Sequence, residues 1–191
     1  MLGEEDHPLE KEKLDYLAEK PYELLFVDGN HEGFPSLQQY PEEWRYGAPV
    51  RRIRDNIFWL RRGCVYTIEG KTFFTLGGAA TPDFDKPNKL AQGKWFPEEI
   101  PTREELDRGE EALAATQNRV DYIVTHTAPN RYIYRLIRKN PGCWDEDYVL
   151  TSFLEELYRK VRFEKWFFGH FHQDQEYYDG MCACMDAVHE V

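Results

Sequence analysis

Apolar runs of strand length recur along the chain and are separated by stretches with helical period or by glycine- and proline-rich corners. Pro8 precedes "LEKEKLDYLAEK", where Leu14 and Leu17 share one side and Pro21 ends the run, which predicts a first helix. "YELLFVD" (22–28) then reads as a buried strand that delivers "GNHEG" to its C-terminal end. "IFWL", "CVYTI" and "KTFFTLGG" predict further strands, the last two paired through a turn at Glu69 and Gly70 and followed by a glycine corner at Gly77 and Gly78. Residues 81–101, rich in Pro, Asp, Asn and Gly, read as a surface loop. Thr102 and Glu105 have capping-box spacing and open a helix to about residue 117. "VDYIVTH" (120–126) is the next buried strand. Apolar Val149, Leu150, Phe153, Leu154, Leu157 and Val161 give helix spacing. "EKWFFGHFH" (164–172) is a third strand ending in histidine, and a last hairpin is expected around Asp179 and Gly180.

A lone histidine at a strand end is more often a satisfied polar residue than a ligand. Here three apolar strands each end in histidine, in a chain with six in all, and coincidence becomes the weaker reading. If 169–172 is extended, His170 and His172 point to one side with Cα atoms about 6.6 Å apart, a placement in which each could hold one of two metal ions. Asn30 adds a neutral oxygen, and the set Asn30, His126, His170 and His172 suits Mn, Fe, Zn or Ni. His31 would stand beside the metal, placed to protonate a leaving oxygen.

Composition narrows the classes. The chain has 191 residues, enough for one domain with a real core, and 15% aromatic residues supply packing material. The net charge of -11 disfavours long nucleic acid as a partner but not a small phosphorylated molecule. No apolar stretch approaches a membrane span, and the acidic, mixed-charge N-terminus is unlike a targeting peptide, so the cytoplasm is the expected location. Cys64, Cys143, Cys182 and Cys184 fit neither a zinc-finger spacing nor a disulfide framework and are expected to be free, half-buried thiols with a packing role.

"GNHE" (29–32), "THT" (125–127) and "GHFH" (169–172) resemble the last three signature motifs of the calcineurin-like metallophosphoesterases, in order and each at a strand end. The resemblance implies an α/β fold with a two-sheet sandwich flanked by helices, and a dinuclear centre whose bridging hydroxide attacks phosphorus in a phosphomonoester or phosphodiester. It also implies that Asn30, His126 and His170 hold one metal, that His172 serves the other, and that His31 is the acid. The family's Asp-x-His and Gly-Asp motifs are missing upstream of "GNHE"; Asp6 and His7 are adjacent and precede a helix, so they do not replace them. Two dications 4 Å apart repel by roughly 17 kcal/mol at an effective dielectric near 20, and every ligand identified here is neutral. At most one well-held metal is therefore expected, with His172 left without company. Loss of the first strands should also open a sheet edge, and Met1 is expected not to be the natural start of the functional unit.

The alternative class is a non-catalytic relative that keeps the sandwich as a binding or interaction module. Retention of His31 argues for the enzyme, the missing motifs for the module, so this chain is expected to be a partial and weakly active or inactive form of the hydrolase. Arg51, Arg52, Arg54, Arg61 and Arg62 are expected at solvated strand and turn positions, with a phosphate clamp as the lesser reading. "DEDY" (145–148) is expected to supply helix-start charges. Glu32 is expected to orient a neighbour, and Trp95 and Phe96 either cap a substrate or cover the core.

Overall fold

Ile57–Leu60 is buried at all four positions, and a strand with no polar face must be covered on both sides. The computed structural model describes residues 8–82, 85–137 and 148–191 and meets that demand with two facing sheets between layers of helix. The elements in chain order are α1 (Pro8–Ala18), β1 (Leu24–Phe26), α2 (Phe34–Leu37), β2 (Glu42–Arg45), β3 (Ala48–Arg54), β4 (Ile57–Leu60), β5 (Cys64–Ile68) and β6 (Lys71–Leu76). They continue with α3 (Lys86–Ala91), α4 (Arg103–Ala115), β7 (Tyr122–Thr125), α5 (Asn130–Ile137), α6 (Tyr148–Lys160), β8 (Lys165–Phe168), β9 (Gln175–Glu176) and β10 (Met181–Ala183).

The first sheet has the order β1-β4-β3-β2, with β1 parallel to β4 and the rest antiparallel. The second has the order β5-β6-β7-β8-β10-β9, parallel from β6 through β10 and antiparallel at both ends. Alternation along β4 divides its side chains between two cores. Ile57 and Trp59 join Leu14 of α1 and Phe34 and Leu37 of α2, whereas Phe58 and Leu60 meet Cys64 and Tyr66 of the second sheet. The outer face of the second sheet is covered by Leu106 and Leu113 of α4, Tyr132 and Leu136 of α5, and Leu150, Leu154 and Leu157 of α6. This is the expected α/β two-sheet sandwich flanked by helices.

Local chemistry explains the corners. Glu69 and Gly70 both take positive φ, 49° and 82°, the left-handed pair that suits a two-residue hairpin between β5 and β6. Thr102 and Glu105 form both halves of the capping box of α4. The closing hairpin turns at Asp179 and Gly180, and places β10 beside β8. Cys64 and Cys182 are buried and Cys184 half-buried, all as free thiols, while Cys143 and Asp145–Asp147 lie outside the described residues.

Two readings and one omission need correction. The strands β2 and β3 and the helix α5 were not foreseen, yet β2 and β3 form half of the first sheet and α5 buries Tyr132, Ile133 and Leu136. Residues 81–101 are not a plain surface loop, since they contain α3 and a 3-10 turn at Pro97–Glu99 and bury Lys89 and Glu99. Residues 169–172 are not extended: His170 and His172 both adopt left-handed backbone, at φ 64° and 50°. The physical reason is Phe171, which is 1% exposed and packs edge-on against Phe168; turning it into the core ends β8 at Phe168. Among the described residues, no helix is long and apolar enough to cross a membrane.

Candidate metal centre

The C-terminal ends of β1 and β4 from the first sheet and of β6, β7 and β8 from the second supply one crevice. Asp28, just past β1, is fully buried there. Its Oδ1 accepts from Trp59 Nε1 at 2.9 Å, and its Oδ2 accepts from Arg62 Nε at 2.9 Å. Arg62 also donates to the Glu98 carbonyl at 2.7 Å and to Glu105 Oε2 at 3.2 Å. Burial opposes the Arg62 charge, but Asp28 and then Glu105 hold its pKa above the ordinary value. Arg62 is thus not the solvated residue expected, because the carboxylate at the neighbouring strand end draws it inward. Arg61 is half-buried and lies over the Trp59 ring, while Arg51, Arg52 and Arg54 sit on β3 near Glu42, Glu43 and Asp15.

Gly29 and Gly77 are the small residues that allow this crowding. A Cβ on Gly29 would lie 2.7 Å from the His126 ring, and one on Gly77 would lie 2.4 Å from Asp28 Oδ1. Asn30 follows, 4% exposed, with Oδ1 3.3 Å from His126 Nε2. Glu32 Oε1 accepts from the Gly29 amide at 3.3 Å, a bond that closes the loop on itself.

His126 stands at the end of β7. Thr125, beside it, accepts from Trp166 at 2.8 Å and donates to the Thr127 carbonyl at 2.6 Å, which fixes the turn that carries the ring. The Gly169 amide donates to the His126 carbonyl at 3.0 Å, tying the end of β8 to that of β7. The rings of His126 and His170 meet edge-on with centroids 5.3 Å apart. Withdrawal from solvent is the main cause that lowers both: His126 to about 4, and His170 well below its usual range with the neighbouring His126 next in weight. Both rings are neutral near pH 7, the form that binds metals.

His170 Nε2 is buried and has no hydrogen-bond partner among the described residues. Leaving such a group unmet costs about 1–3 kcal/mol, and the left-handed backbone of a non-glycine residue costs a similar amount. Both costs fall on one residue whose ring meets that of His126. Among the described residues, no three His, Cys, Asp or Glu side chains gather closely enough to hold a metal by themselves. The Asn30 amide oxygen and the His126 and His170 imidazoles are neutral donors of the kinds that borderline divalent ions accept. His172 is exposed, within electrostatic reach of His31, His126 and His170 rather than isolated from them.

The segment misread as a surface loop forms a second layer. Lys89 Nζ lies 2.8 Å from Thr81 Oγ1, 3.4 Å from the Asn30 carbonyl and 3.2 Å from His31 Nε2. Loss of solvent and then the Lys89 charge lower the pKa of His31; burial lowers that of Lys89 against the pull of Glu99. Trp95 donates to Glu99 at 3.0 Å, and Phe96 packs edge-on against Phe34, so Phe96 covers the core of the first sheet. Sequence reasoning missed Asp28, Arg62, Thr81, Lys89 and Glu99. Asp28 had a signal, being the last residue before the glycine of the same strand end; the others lie in segments without period and join the site through distant contacts.

The four motif-bearing residues Asn30, His31, His126 and His170 are thus collected from three strand ends. A search of curated proteins finds no match. A family model for calcineurin-like phosphoesterases matches residues 3–174, most of the chain. With that match over a two-sheet sandwich whose strand ends carry the motifs, the chain belongs to the calcineurin-like phosphoesterase family.

Proposed function

We propose that this chain is a metal-dependent phosphoester hydrolase that holds one divalent ion, Mn, Fe, Zn or Ni, between Asn30, His126 and His170. The observation that carries the reading is the buried, unpartnered Nε2 of His170, held beside the neutral His126 and the Asn30 oxygen. A divalent ion in such a position supplies Lewis-acid activation and neutralises phosphoryl charge. The residues of the chain do the rest. His31 protonates the leaving oxygen, and with Lys89 donating to its Nε2 the ring's own proton sits on Nδ1. Lys89 and His31 place donors beside the crevice of an otherwise acidic protein, as an anionic substrate requires. A small phosphomonoester or phosphodiester is the substrate class. His172, at the exposed rim, contributes to a second ion only weakly.

A second reading, a metallophosphoesterase-like binding module without turnover, is favoured by one observation: the carboxylate nearest His126, that of Asp28, is committed to Arg62 and Trp59. Metal content after equilibration with manganese, measured alongside hydrolysis of p-nitrophenyl phosphate and its diester, separates the readings. About one ion per chain with turnover abolished by His31→Ala supports the hydrolase. One ion with no turnover supports the module. No bound metal sinks the hydrolase and leaves the module, and two ions would show that His172 has further ligands.

A further inference from the structure

Asn30 can serve a cation only if its carboxamide presents oxygen, and an amide fits a cavity equally well in either orientation by shape. We propose that Thr81 and Glu99 are positioning residues that set the polarity of the Asn30 amide; the proposal rests on the metal site assigned above.

The argument is one of donors and acceptors. Glu99 is 3% exposed and collects three donors, the Thr81 amide at 2.9 Å, Trp95 Nε1 at 3.0 Å and the Thr81 hydroxyl at 2.6 Å. An ionised carboxylate only accepts, so the single hydroxyl proton of Thr81 is committed to it. Thr81 Oγ1 is left with lone pairs alone, and these face Lys89 Nζ at 2.8 Å and Asn30 Nδ2 at 3.3 Å. The NH2 arm of Asn30 is the only arm that can meet them. Oδ1 is thereby turned to the opposite side, 3.3 Å from His126 Nε2. In the reversed amide, oxygen would oppose a hydroxyl with no proton to give, and NH2 would face the cation.

Thus the Glu99 carboxylate, bonded to Thr81 and Trp95, writes the polarity of a ligand through one hydroxyl. Lys89 reinforces it, donating to Thr81 Oγ1 and to the Asn30 carbonyl. The second layer around a metal site commonly has this task, and its loss costs about 10–100-fold in metal affinity.

The test is manganese titration of the wild type, Thr81→Val and Thr81→Ser, with circular dichroism to check folding. A second readout uses the metal-free wild type, where nuclear Overhauser contacts from the Asn30 side-chain amide protons report which way the amide points. Thr81→Val should bind manganese about 10–100-fold more weakly, and Thr81→Ser, which keeps the hydroxyl, should bind as the wild type does. The amide protons should show contacts to Thr81 and none to the His126 ring. Wild-type affinity in a folded Thr81→Val, or amide contacts to His126 in place of Thr81, would overturn the proposal and leave the metal site standing. A wild type that binds no manganese overturns the metal site instead, and the amide contacts then decide the polarity on their own. If Thr81→Val does not fold, the Thr81→Ser titration and the wild-type contacts carry the decision.

Discussion

Asp28 and His170 are both polar and buried in one crevice, yet they are treated in opposite ways. The Asp28 carboxylate is met by Trp59 and Arg62, and Arg62 is met in turn by Glu98 and Glu105. His170 Nε2 is met by nothing among the described residues and sits on left-handed backbone. The contrast separates two uses of buried polarity. A fully paired group holds elements together: Asp28 ties the end of β1 to the loop after β4 and, through Glu105, to the first turn of α4. An unpaired group held at a cost calls for an explanation, and the metal site proposed above supplies one.

The strongest attack on the paired side is Arg62→Leu, which leaves the Asp28 carboxylate buried and alone. It should lower the unfolding free energy by about 3–5 kcal/mol in urea denaturation, and a loss below about 1 kcal/mol would mean that Asp28 has other support. Removing both partners as Asp28→Leu with Arg62→Leu should recover part of that loss.

Next in size is a pH effect on the unpaired side. His126 titrates at about 4 when folded and near 6.5 when unfolded, so the unfolded chain gains its proton first as pH falls. The contribution is complete above pH 6.5 and is lost progressively toward pH 4, amounting to about 3 kcal/mol at 1.36 kcal/mol per unit. His170, lowered for the same reason, acts in the same direction. Urea midpoints compared between pH 7 and pH 4.5 should show this slope, and His126→Gln should flatten it; equal slopes would place the His126 ring in solvent.

His170→Ala should then divide the two behaviours. Metal affinity should fall about 100-fold, some 2.7 kcal/mol, while the metal-free protein loses only the packing of one buried ring, about 3 kcal/mol or less, since Nε2 gives up no hydrogen bond among the described residues. A larger loss of stability would show that the ring is structural after all. The smallest effect is Thr102→Ala, which removes one cap of α4 and should cost about 1 kcal/mol with no change in metal binding. Glu105 serves both the cap and Arg62, so Glu105→Gln should cost more than Thr102→Ala.

Much of this arrangement can be read along the chain. Asn30, His126 and His170 each follow an apolar run, and a polar residue at such a run's end marks where the strand stops, so three strand ends announced three residues that the fold brings near one another. The hairpin at Glu69 and Gly70 and the box at Thr102 and Glu105 are local in cause and were equally plain. The pairing of 61–62 was not: two adjacent arginines look alike, and the Asp28 carboxylate that buries one of them is thirty-odd residues away. The backbone of 169–172 was misjudged because extension of a strand competes with burial of Phe171, and the competition is settled by the room beside Phe168.

Local chemistry, then, was enough to set which residues close the strands, where the turns and caps fall, and which side chains carry neutral nitrogen or oxygen to the sheet edge, because each depends on neighbours a few positions apart. Packing across the chain set the rest: which arginine is buried, that 81–101 folds inward to bring Lys89, Thr81 and Glu99 against Asn30, and which way that amide turns. Those outcomes depend on pairing donors with acceptors in a space that exists only once two sheets and their helices have closed around it.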